Sequence, residues 1–137
     1  MRRVILESPF GAGKGLRGLI GRWRNKRYAR KCLRDSLLRQ ESPIAPHLLL
    51  TQHGVLNDSV PTERRWGILA GHAWVEVADA VAIYIDKGIS PGMRLGISRA
   101  ETAGKPVEYR TLRERPEGFH GSPRMRINTP ETPDYAA

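Results

Sequence analysis

Hydrophobic and polar positions along the chain form blocks that predict strands separated by helices. Residues 2–7 (RRVILE) contain three consecutive aliphatic residues and end at a Ser-Pro pair, which predicts a first strand. Residues 44–52 (IAPHLLLTQ) predict a second strand, with Pro46 near its start, where a missing N–H matters least. Residues 79–86 (DAVAIYID) form an unbroken apolar run typical of a strand buried on both faces. Residues 106–110 (PVEYR) predict a fourth strand.

The spacing of apolar residues predicts three helices between these strands. Residues 26–39 carry apolar side chains three and four positions apart, and Asn25 suits the N-cap position before them. A second helix is expected over residues 61–77, or one residue further. Its predicted apolar stripe consists of Trp66, Leu69, Ala70, Ala73, Trp74 and Val77. A shorter helix is expected after the Ser-Pro-Gly turn at residues 90–92, with Gly104 as its C-terminal stop.

The alternation of strands and helices favours an α/β fold, an open parallel sheet with helices on both faces. In a chain of 137 residues, we expect one such domain over residues 1–112. Residues 11–24 (GAGKGLRGLIGRWR) hold five glycines and predict a long loop or a weak, frayed helix. Residues 113–137 are rich in proline and poor in aliphatic residues, which predicts a flexible tail. Because open parallel sheets bind ligands at the carboxyl ends of their strands, the site is expected there.

Positive charge is concentrated in the N-terminal part of the chain. The formal net charge is +9, and residues 1–39 contain 12 of the 23 lysines and arginines but only two acids. Such a segment attracts polyanions, so nucleic-acid binding through residues 14–34 is one hypothesis. Only Trp23 and Tyr28 are available there to stack on bases, and a solvated basic helix face is the simpler interpretation.

Composition also disfavours several classes of protein. No apolar run approaches the ~20 residues that a membrane span requires, so no membrane partner is expected. The apolar segment near the N-terminus is too short for a signal peptide. Cys32 is the only cysteine, which excludes an internal disulfide and fits a reducing, cytoplasmic location. The four histidines show no metal-ligand spacing, and we expect neither a metal nor a cofactor.

The segment SPFGAG at residues 8–13 follows the first strand and has the appearance of a phosphate-binding loop. A P-loop needs a glycine at position 8 and a Ser or Thr at position 15, where this chain has Ser8 and Gly15. The dinucleotide fingerprint needs a glycine at position 16, which is Leu16. The loop is therefore neither motif, but its backbone N–H groups are still able to bind a phosphate or a sugar. Its candidate ligand-binding residues are Ser8, Phe10 and Gly11.

Residues 78–109 carry a more specific pattern. An Ala-Asp pair precedes a hydrophobic strand that ends in Asp86, a Ser-Pro-Gly turn opens the next helix, and Gly-Lys-Pro leads into the following strand. Together with the SPFGAG loop, this order of motifs resembles the nucleoside 2-deoxyribosyltransferase-like superfamily. That superfamily includes the deoxynucleotide N-hydrolases and many small phage and actinobacterial proteins. The resemblance covers residues 3–110, apart from the basic glycine-rich stretch at residues 11–24, which looks like an insertion relative to the superfamily.

The resemblance implies a flavodoxin-like parallel sheet, a homodimer whose sites are completed by partner residues, and a nucleotide or nucleoside as ligand. In the superfamily, a glutamate on the helix after the turn attacks the anomeric carbon of the sugar, and water or a second base resolves the intermediate. Cleavage or transfer of an N-glycosidic bond is therefore the implied activity. The implied ligand-binding residues around the turn are Gly88, Ser90, Gly92, Met93 and Arg94.

The sequence departs from the superfamily at the nucleophile. The glutamate usually lies four residues after the turn glycine, and that position is Gly96 here. The always-charged guanidinium of Arg94 suits a phosphate but is no nucleophile. Three hypotheses stay open: a sensor or sequestering protein that binds a nucleotide without cleaving it, chemistry taken over by Asp86 or Glu7, or a likeness of fold alone. Asp86 is the catalytic candidate, although carboxylates at strand ends often only cap the next turn.

Other polar residues have simpler expected roles. His47 lies in the predicted second strand and is expected to be a hydrogen-bonded core residue rather than a catalyst. His53 follows that strand and is a candidate to line the pocket, whereas His72 is expected to be solvated. Arg64 or Arg65 lies at the start of the second helix and is placed to meet an anion, with a solvated face as the simpler outcome.

Overall fold

The computed structural model describes residues 1–11 and 13–112, and the predicted tail at residues 113–137 lies outside the described part of the chain. The described residues contain the strands β1 Arg2–Glu7, β2 Glu41–Ile44, β3 Ala80–Tyr84 and β4 Val107–Arg110. Their helices are α1 Gly15–Leu38, α2 Pro46–Leu49, α3 Pro61–Val77 and α4 Pro91–Thr102. None of these helices is long and apolar enough to cross a membrane.

All four strands are parallel, and they lie in the order β2-β1-β3-β4. Val4 of β1 pairs with Ala80 of β3, and Val81 of β3 pairs with Val107 of β4. The strand order reverses between β1 and β3, as it does in flavodoxin-like folds, where ligands bind beyond the carboxyl ends of the strands. The predicted α/β fold with a flavodoxin-like open parallel sheet is confirmed.

The core consists of two apolar clusters, one on each face of the sheet. Alternate residues of a strand face opposite sides, so neighbouring residues of β1 belong to different clusters. The first cluster packs α1 on the sheet and contains Val4, Leu6, Tyr28, Cys32, Ala82 and Tyr84. The second packs α3 and α4 on the other face and contains Ile5, Val75, Val81, Ile83, Met93 and Ala100. Helices therefore cover both faces, as predicted.

Helix α1 begins earlier than the sequence predicted. It starts at Gly15, so most of the segment 11–24 belongs to a helix of 24 residues. The glycines of this segment lower its intrinsic helix propensity, which is why it resembled a loop. One of them is required by packing, since a Cβ on Gly18 would lie 1.5 Å from the carbonyl oxygen of Gly13. Only glycine at position 18 lets the preceding loop fold back onto the helix.

The second strand also lies earlier than predicted. Most of the segment 44–52 forms the short helix α2 and a turn, with Pro46 in the first helical turn, a position it favours. The strand itself begins with Glu41, whose buried carboxylate accepts hydrogen bonds from Ser36 Oγ at 2.6 Å and from the guanidinium of Arg110 at 2.7 and 2.8 Å. Because a charged residue rarely begins a buried strand, the sequence pattern around Glu41 did not predict this strand.

Helix α3 has the predicted bounds, but its apolar stripe does not face the core. Trp66, Leu69, Trp74 and Val77 are 63%, 55%, 48% and 50% exposed, whereas Val75 is buried. The helix therefore presents an apolar surface outwards. We call this surface the α3 outer stripe, and its residues are Trp66, Leu69, Ala70, Ala73, Trp74 and Val77.

Candidate functional site

A pocket of about 270 Å³ opens at the carboxyl edge of the sheet. Its walls come from the loop after β1, from α2, from the inner side of α3 and from the start of α4. Most of the wall surface is apolar. The side chains in it that can ionise or form hydrogen bonds are Glu7, Ser8, His47, Thr51, Asp58, Arg64, His72 and Ser90. Pockets with apolar walls and a few convergent polar groups, at this edge of an α/β sheet, are the usual ligand sites of such folds.

Most of the predicted ligand-binding residues lie in the pocket wall. They are Ser8, Phe10, Gly11, Ser90, Gly92 and Met93. The Oγ of Ser90 caps α4 by accepting a hydrogen bond from the backbone N–H of Met93 at 3.3 Å. Gly88, with a φ of 77°, forms the turn before this helix and is not part of the wall. Arg94 is exposed and also lies outside the wall.

Asp86, the predicted catalytic residue, has its contacts elsewhere. Its carboxylate accepts a hydrogen bond from the hydroxyl of Tyr28 at 2.5 Å and one from the backbone N–H of Leu112 at 3.1 Å. These contacts join the end of β3 to α1 and to the segment after β4, and Asp86 is not part of the pocket wall. Its catalytic role stays a prediction.

The carboxyl group of Glu7, the last residue of β1, lies in the pocket wall against α4. A Cβ on Gly96 would lie 2.6 Å from both Cδ and Oε1 of Glu7, so this carboxyl group fills the space that a side chain at position 96 would need. Among the residues that the structure describes, no hydrogen bond or ion pair to the carboxyl group is found. Burial raises the pKa of Glu7 to about 8. The group is therefore mostly uncharged at neutral pH.

His47 lies on α2 beside the loop after β1, not in a strand as predicted. Its Nε2 lies 2.9 Å from Ser8 Oγ, and its ring meets the ring of Phe10 edge to face at 5.6 Å. Burial lowers the pKa of His47 to about 4, so the imidazole is neutral at physiological pH. Its Nδ1 is buried and has no hydrogen-bond partner within the described part of the chain. A bound ligand is able to supply that partner.

Charged and half-buried side chains form the remaining polar part of the wall. Arg64 Nη1 lies 2.7 Å from Asp58 Oδ2, and both residues belong to the wall. Arg64 thus lines the pocket but keeps half of its side chain exposed, in line with the solvated face expected as the simpler outcome, and Arg65 does not line the pocket. His72 lines it too and is partly buried, which lowers its pKa and differs from the solvated position expected. His53 lies outside the wall.

Asn25 holds the loop after β1 in position. Its side-chain amide donates hydrogen bonds to the carbonyl oxygens of Phe10 at 3.3 Å and Gly11 at 3.2 Å. The expectation that Asn25 caps the helix was wrong, because Lys14 occupies the N-cap position. Its true partners lie 15 and 14 positions earlier in the chain, so no local sequence signal marks this contact.

Two comparisons place this architecture among known proteins. Residues 2–110 match the model of a family described as a domain of unknown function, DUF7768. The chain belongs to the DUF7768 family. Its structure is similar to that of a 2-deoxyribosyltransferase from the psychrotolerant bacterium Bacillus psychrosaccharolyticus, with a TM-score of 0.54 and 17% sequence identity over 80% of this chain and 72% of the other. At this identity the likeness shows the fold alone. No curated protein sequence matches the chain.

The pocket of this DUF7768 domain contains two titratable side chains whose pKa values favour the uncharged form near neutral pH. Its described residues include no group of three or more His, Cys, Asp and Glu side chains placed to hold a metal ion. Its reactive groups are the uncharged carboxyl of Glu7, the neutral imidazole of His47 and the hydroxyl of Ser8. Such groups exchange protons and hydrogen bonds with a ligand without first losing a charged partner.

Proposed function

We propose that this DUF7768 domain binds a nucleoside or nucleotide in the pocket and cleaves or transfers its N-glycosidic bond. The observation that carries the proposal is the partly buried carboxyl group of Glu7, which lies in a mostly apolar pocket at the carboxyl edge of the sheet. Cleavage of a glycosidic bond needs a carboxyl group near the anomeric carbon, as a nucleophile or as an acid. Similarity of fold to a 2-deoxyribosyltransferase supports the same class of substrate.

The pocket suits the parts of such a ligand. Its volume of about 270 Å³ is near the lower end of the range for small-molecule sites, roughly 300 Å³ and above. Apolar walls suit the faces of a nucleobase, and the free Nδ1 of His47 is able to bond a sugar hydroxyl or a base edge. Arg64 in the wall provides a cation for a phosphate, if it exchanges Asp58 for the ligand.

A second candidate function is binding without cleavage, as in a nucleotide sensor or a sequestering protein. The observation that favours it is Gly96, because the superfamily that the sequence resembles has its nucleophile at that position. The turn and the first part of α4 contain no Asp or Glu that could replace it. The two candidates differ in a single measurable property, the release of free base.

The test combines a binding assay with a base-release assay. The purified protein is incubated with ribonucleosides, 2′-deoxyribonucleosides and their 5′-monophosphates, each with and without a second base as acceptor. Calorimetry measures affinity, and chromatography measures free base or the exchanged nucleoside. Base release or exchange supports the proposal, and tight binding without either supports the second candidate. If the protein binds none of these compounds, both candidates are overturned.

Matched variants within this test report on the phosphate. Arg64→Ala should weaken binding of a 5′-monophosphate by about tenfold or more, since a hydrogen bond to a charged group contributes ~1.5–3 kcal/mol. The corresponding nucleoside should lose much less. Arg65→Ala is the control, because the neighbouring arginine lies outside the pocket wall. Equal losses for both ligands would place the phosphate away from Arg64.

A further inference from the structure

We propose that Glu7 is the general acid that protonates the departing base, and that Gly96 is the positioning residue that makes room for its carboxyl group. The inference rests on the function proposed above and names the residue that performs its chemical step. It differs from the arrangement that the sequence resembles, because the carboxyl group comes from the end of β1 and not from α4.

The pocket wall offers few acids for this role. Among the described residues, its acidic side chains are Glu7 and Asp58. Asp58 is paired with Arg64 at 2.7 Å, and its side chain is partly exposed, so solvent and a cation already satisfy it. Asp86 accepts its hydrogen bonds from Tyr28 and Leu112 away from the wall. Glu7 is the acid whose carboxyl group has no such partner in the described part of the chain.

The contact between β1 and α4 fixes where the carboxyl group lies. A Cβ on Gly96 would stand 2.6 Å from Cδ and Oε1 of Glu7 and 3.1 Å from its Cγ, all well inside van der Waals contact. Glycine inside a helix costs about 1 kcal/mol relative to alanine, so α4 is less stable for having it. The missing side chain at position 96 leaves a space that the carboxyl group of Glu7 fills by packing. No hydrogen bond from the described residues competes for the proton of this carboxyl group.

The surroundings of Glu7 keep its proton on the carboxyl group. Ile5, two residues before Glu7 in β1, and Met93, three residues before Gly96 in α4, are both buried. Among the described residues, no Lys, Arg or His forms an ion pair with Glu7. His47 in the same wall is neutral. The pKa of Glu7, raised to about 8 by burial, agrees with this environment. At neutral pH the protonated form therefore predominates, and a carboxylic acid has a proton to give.

The reaction balances with water as the only co-reactant. The O–H bond of Glu7 breaks as an N–H bond forms on the base, and the bond between that base and the anomeric carbon breaks with its electron pair going to the base. The oxygen of water bonds to the anomeric carbon, and one proton of that water returns to the Glu7 carboxylate. The products are free base and free sugar, and Glu7 is regenerated. In transfer, the nitrogen of a second base takes the place of water.

Glu7→Gln provides the main test, with Glu101→Gln on the exposed side of α4 as its control. Loss of a general acid should lower kcat for a natural nucleoside by about 10²- to 10⁴-fold, with KM nearly unchanged. A sugar carrying a nitrophenolate leaving group needs no protonation, so its cleavage should fall by less than tenfold. The wild-type rate should decline above about pH 8, as Glu7 ionises, and this decline should be absent from the residual rate of Glu7→Gln.

A second variant keeps the test informative if Glu7→Gln folds poorly. Gly96→Ala leaves the carboxyl group in the chain but displaces it, so natural substrates should again lose more activity than the activated one. Circular dichroism and thermal unfolding establish that each variant is folded. The inference is overturned if wild type cleaves while Glu7→Gln stays within twofold of it, or if both substrates lose activity equally, as expected for a nucleophile. It is also overturned if Asp86→Asn, and not Glu7→Gln, abolishes release. A wild type that releases no base refutes the proposed cleavage itself.

Discussion

Glu7 and His47 are both partly buried in the pocket wall, and this burial favours the uncharged form of both near neutral pH. Transfer of a charged group from water to low-dielectric surroundings costs free energy, so the pKa of the acid rises and that of the imidazole falls. The two residues therefore make stability depend on pH in opposite senses. Between about pH 4.5 and 8, Glu7 holds a proton only in the folded state, so its contribution to the free energy of unfolding falls as the pH rises through this window.

His47 should destabilise the fold in acid. Its pKa falls from 6.5 to about 4 on folding, so the unfolded chain binds more protons between these values. Its stabilising contribution is complete above pH 6.5 and is lost as the pH falls toward 4. We expect His47→Gln to remove a pH dependence on the order of 2–3 kcal/mol from the free energy of unfolding. Urea unfolding of wild type and variant between pH 4 and 7 measures this difference.

The matched control is His53→Gln, which changes an exposed histidine outside the pocket wall. It should leave the pH dependence of the wild type in place. Glu7 contributes its opposite slope in all three proteins, so the informative quantity is the difference between each variant and the wild type. Parallel curves for wild type and His47→Gln would contradict a buried, neutral His47.

The first half of α1 carries a surface that the core does not use. Its exposed apolar residues recur at helical spacing, and they are Leu16, Leu19, Ile20 and Trp23. Basic residues surround them, and the guanidinium of Arg27 lies 5.6 Å from the centre of the Trp23 ring. Cations near a helix N-terminus oppose its macrodipole, and the first turn contains no acid, so these charges do not stabilise the helix. The pocket wall includes no residue of α1.

We expect the basic surface of α1 and the pocket to bind independently. Replacing Arg24, Lys26 and Arg27 by Gln should leave mononucleotide affinity within about twofold, as for distant sites with no shared partners. Any binding of a single-stranded oligonucleotide should become less dependent on salt, with the slope of log K against log salt shallower by about 2. Fluorescence anisotropy at several salt concentrations measures both ligands. Arg22 is kept, since it donates a hydrogen bond to the carbonyl oxygen of Gly13. A large loss of mononucleotide affinity would contradict this independence.

At the scale of the whole molecule, helices cover both faces of the sheet, and within the described ranges 1–11 and 13–112 the α3 outer stripe stays exposed. Contiguous apolar patches of this kind on a protein surface mark interaction sites, and buried tryptophans often dominate their binding energy. The inner side of α3 lines the pocket through Arg64, Ile68 and Val75. A partner on the outer stripe would therefore leave the pocket open, unlike the dimer that the resemblance implies, in which partner residues complete the site. We expect a homodimer through this stripe.

Charge placed in the α3 outer stripe should prevent that association. Trp66→Glu and Trp74→Glu together should convert a wild-type dimer into a monomer, because a carboxylate buried without a partner costs several kcal/mol. Light scattering after size-exclusion chromatography measures the mass. Leu19→Glu makes the same kind of change on the exposed apolar residues of α1 and should leave the dimer intact. A wild type that is monomeric at high micromolar concentration, or a dimer lost only in Leu19→Glu, would contradict this interface.

The sequence by itself determined the elements whose signals are local. The apolar runs of β1 and β3 are buried because every side chain in them favours leaving water, whatever the rest of the chain does. Ser90 caps α4 by accepting a hydrogen bond from the backbone N–H of Met93, three positions later. Gly104, with a φ of 65°, follows the end of that helix. The alternation of these elements was enough for the α/β fold. The ligand edge of the sheet followed from that fold.

Only the tertiary structure decided the features that depend on distant partners. Glu41 begins a strand because Arg110, 69 positions later, neutralises its buried carboxylate. His47 pairs with Ser8, which lies 39 positions earlier, and it does so from a helix that the local sequence predicted to be a strand. Glu7 lies in the wall because Gly96 has no side chain, and nothing near either residue in sequence indicates the other. The protonation states of these groups follow from burial and from neighbouring charges, which are properties of the assembled fold and not of the residues themselves.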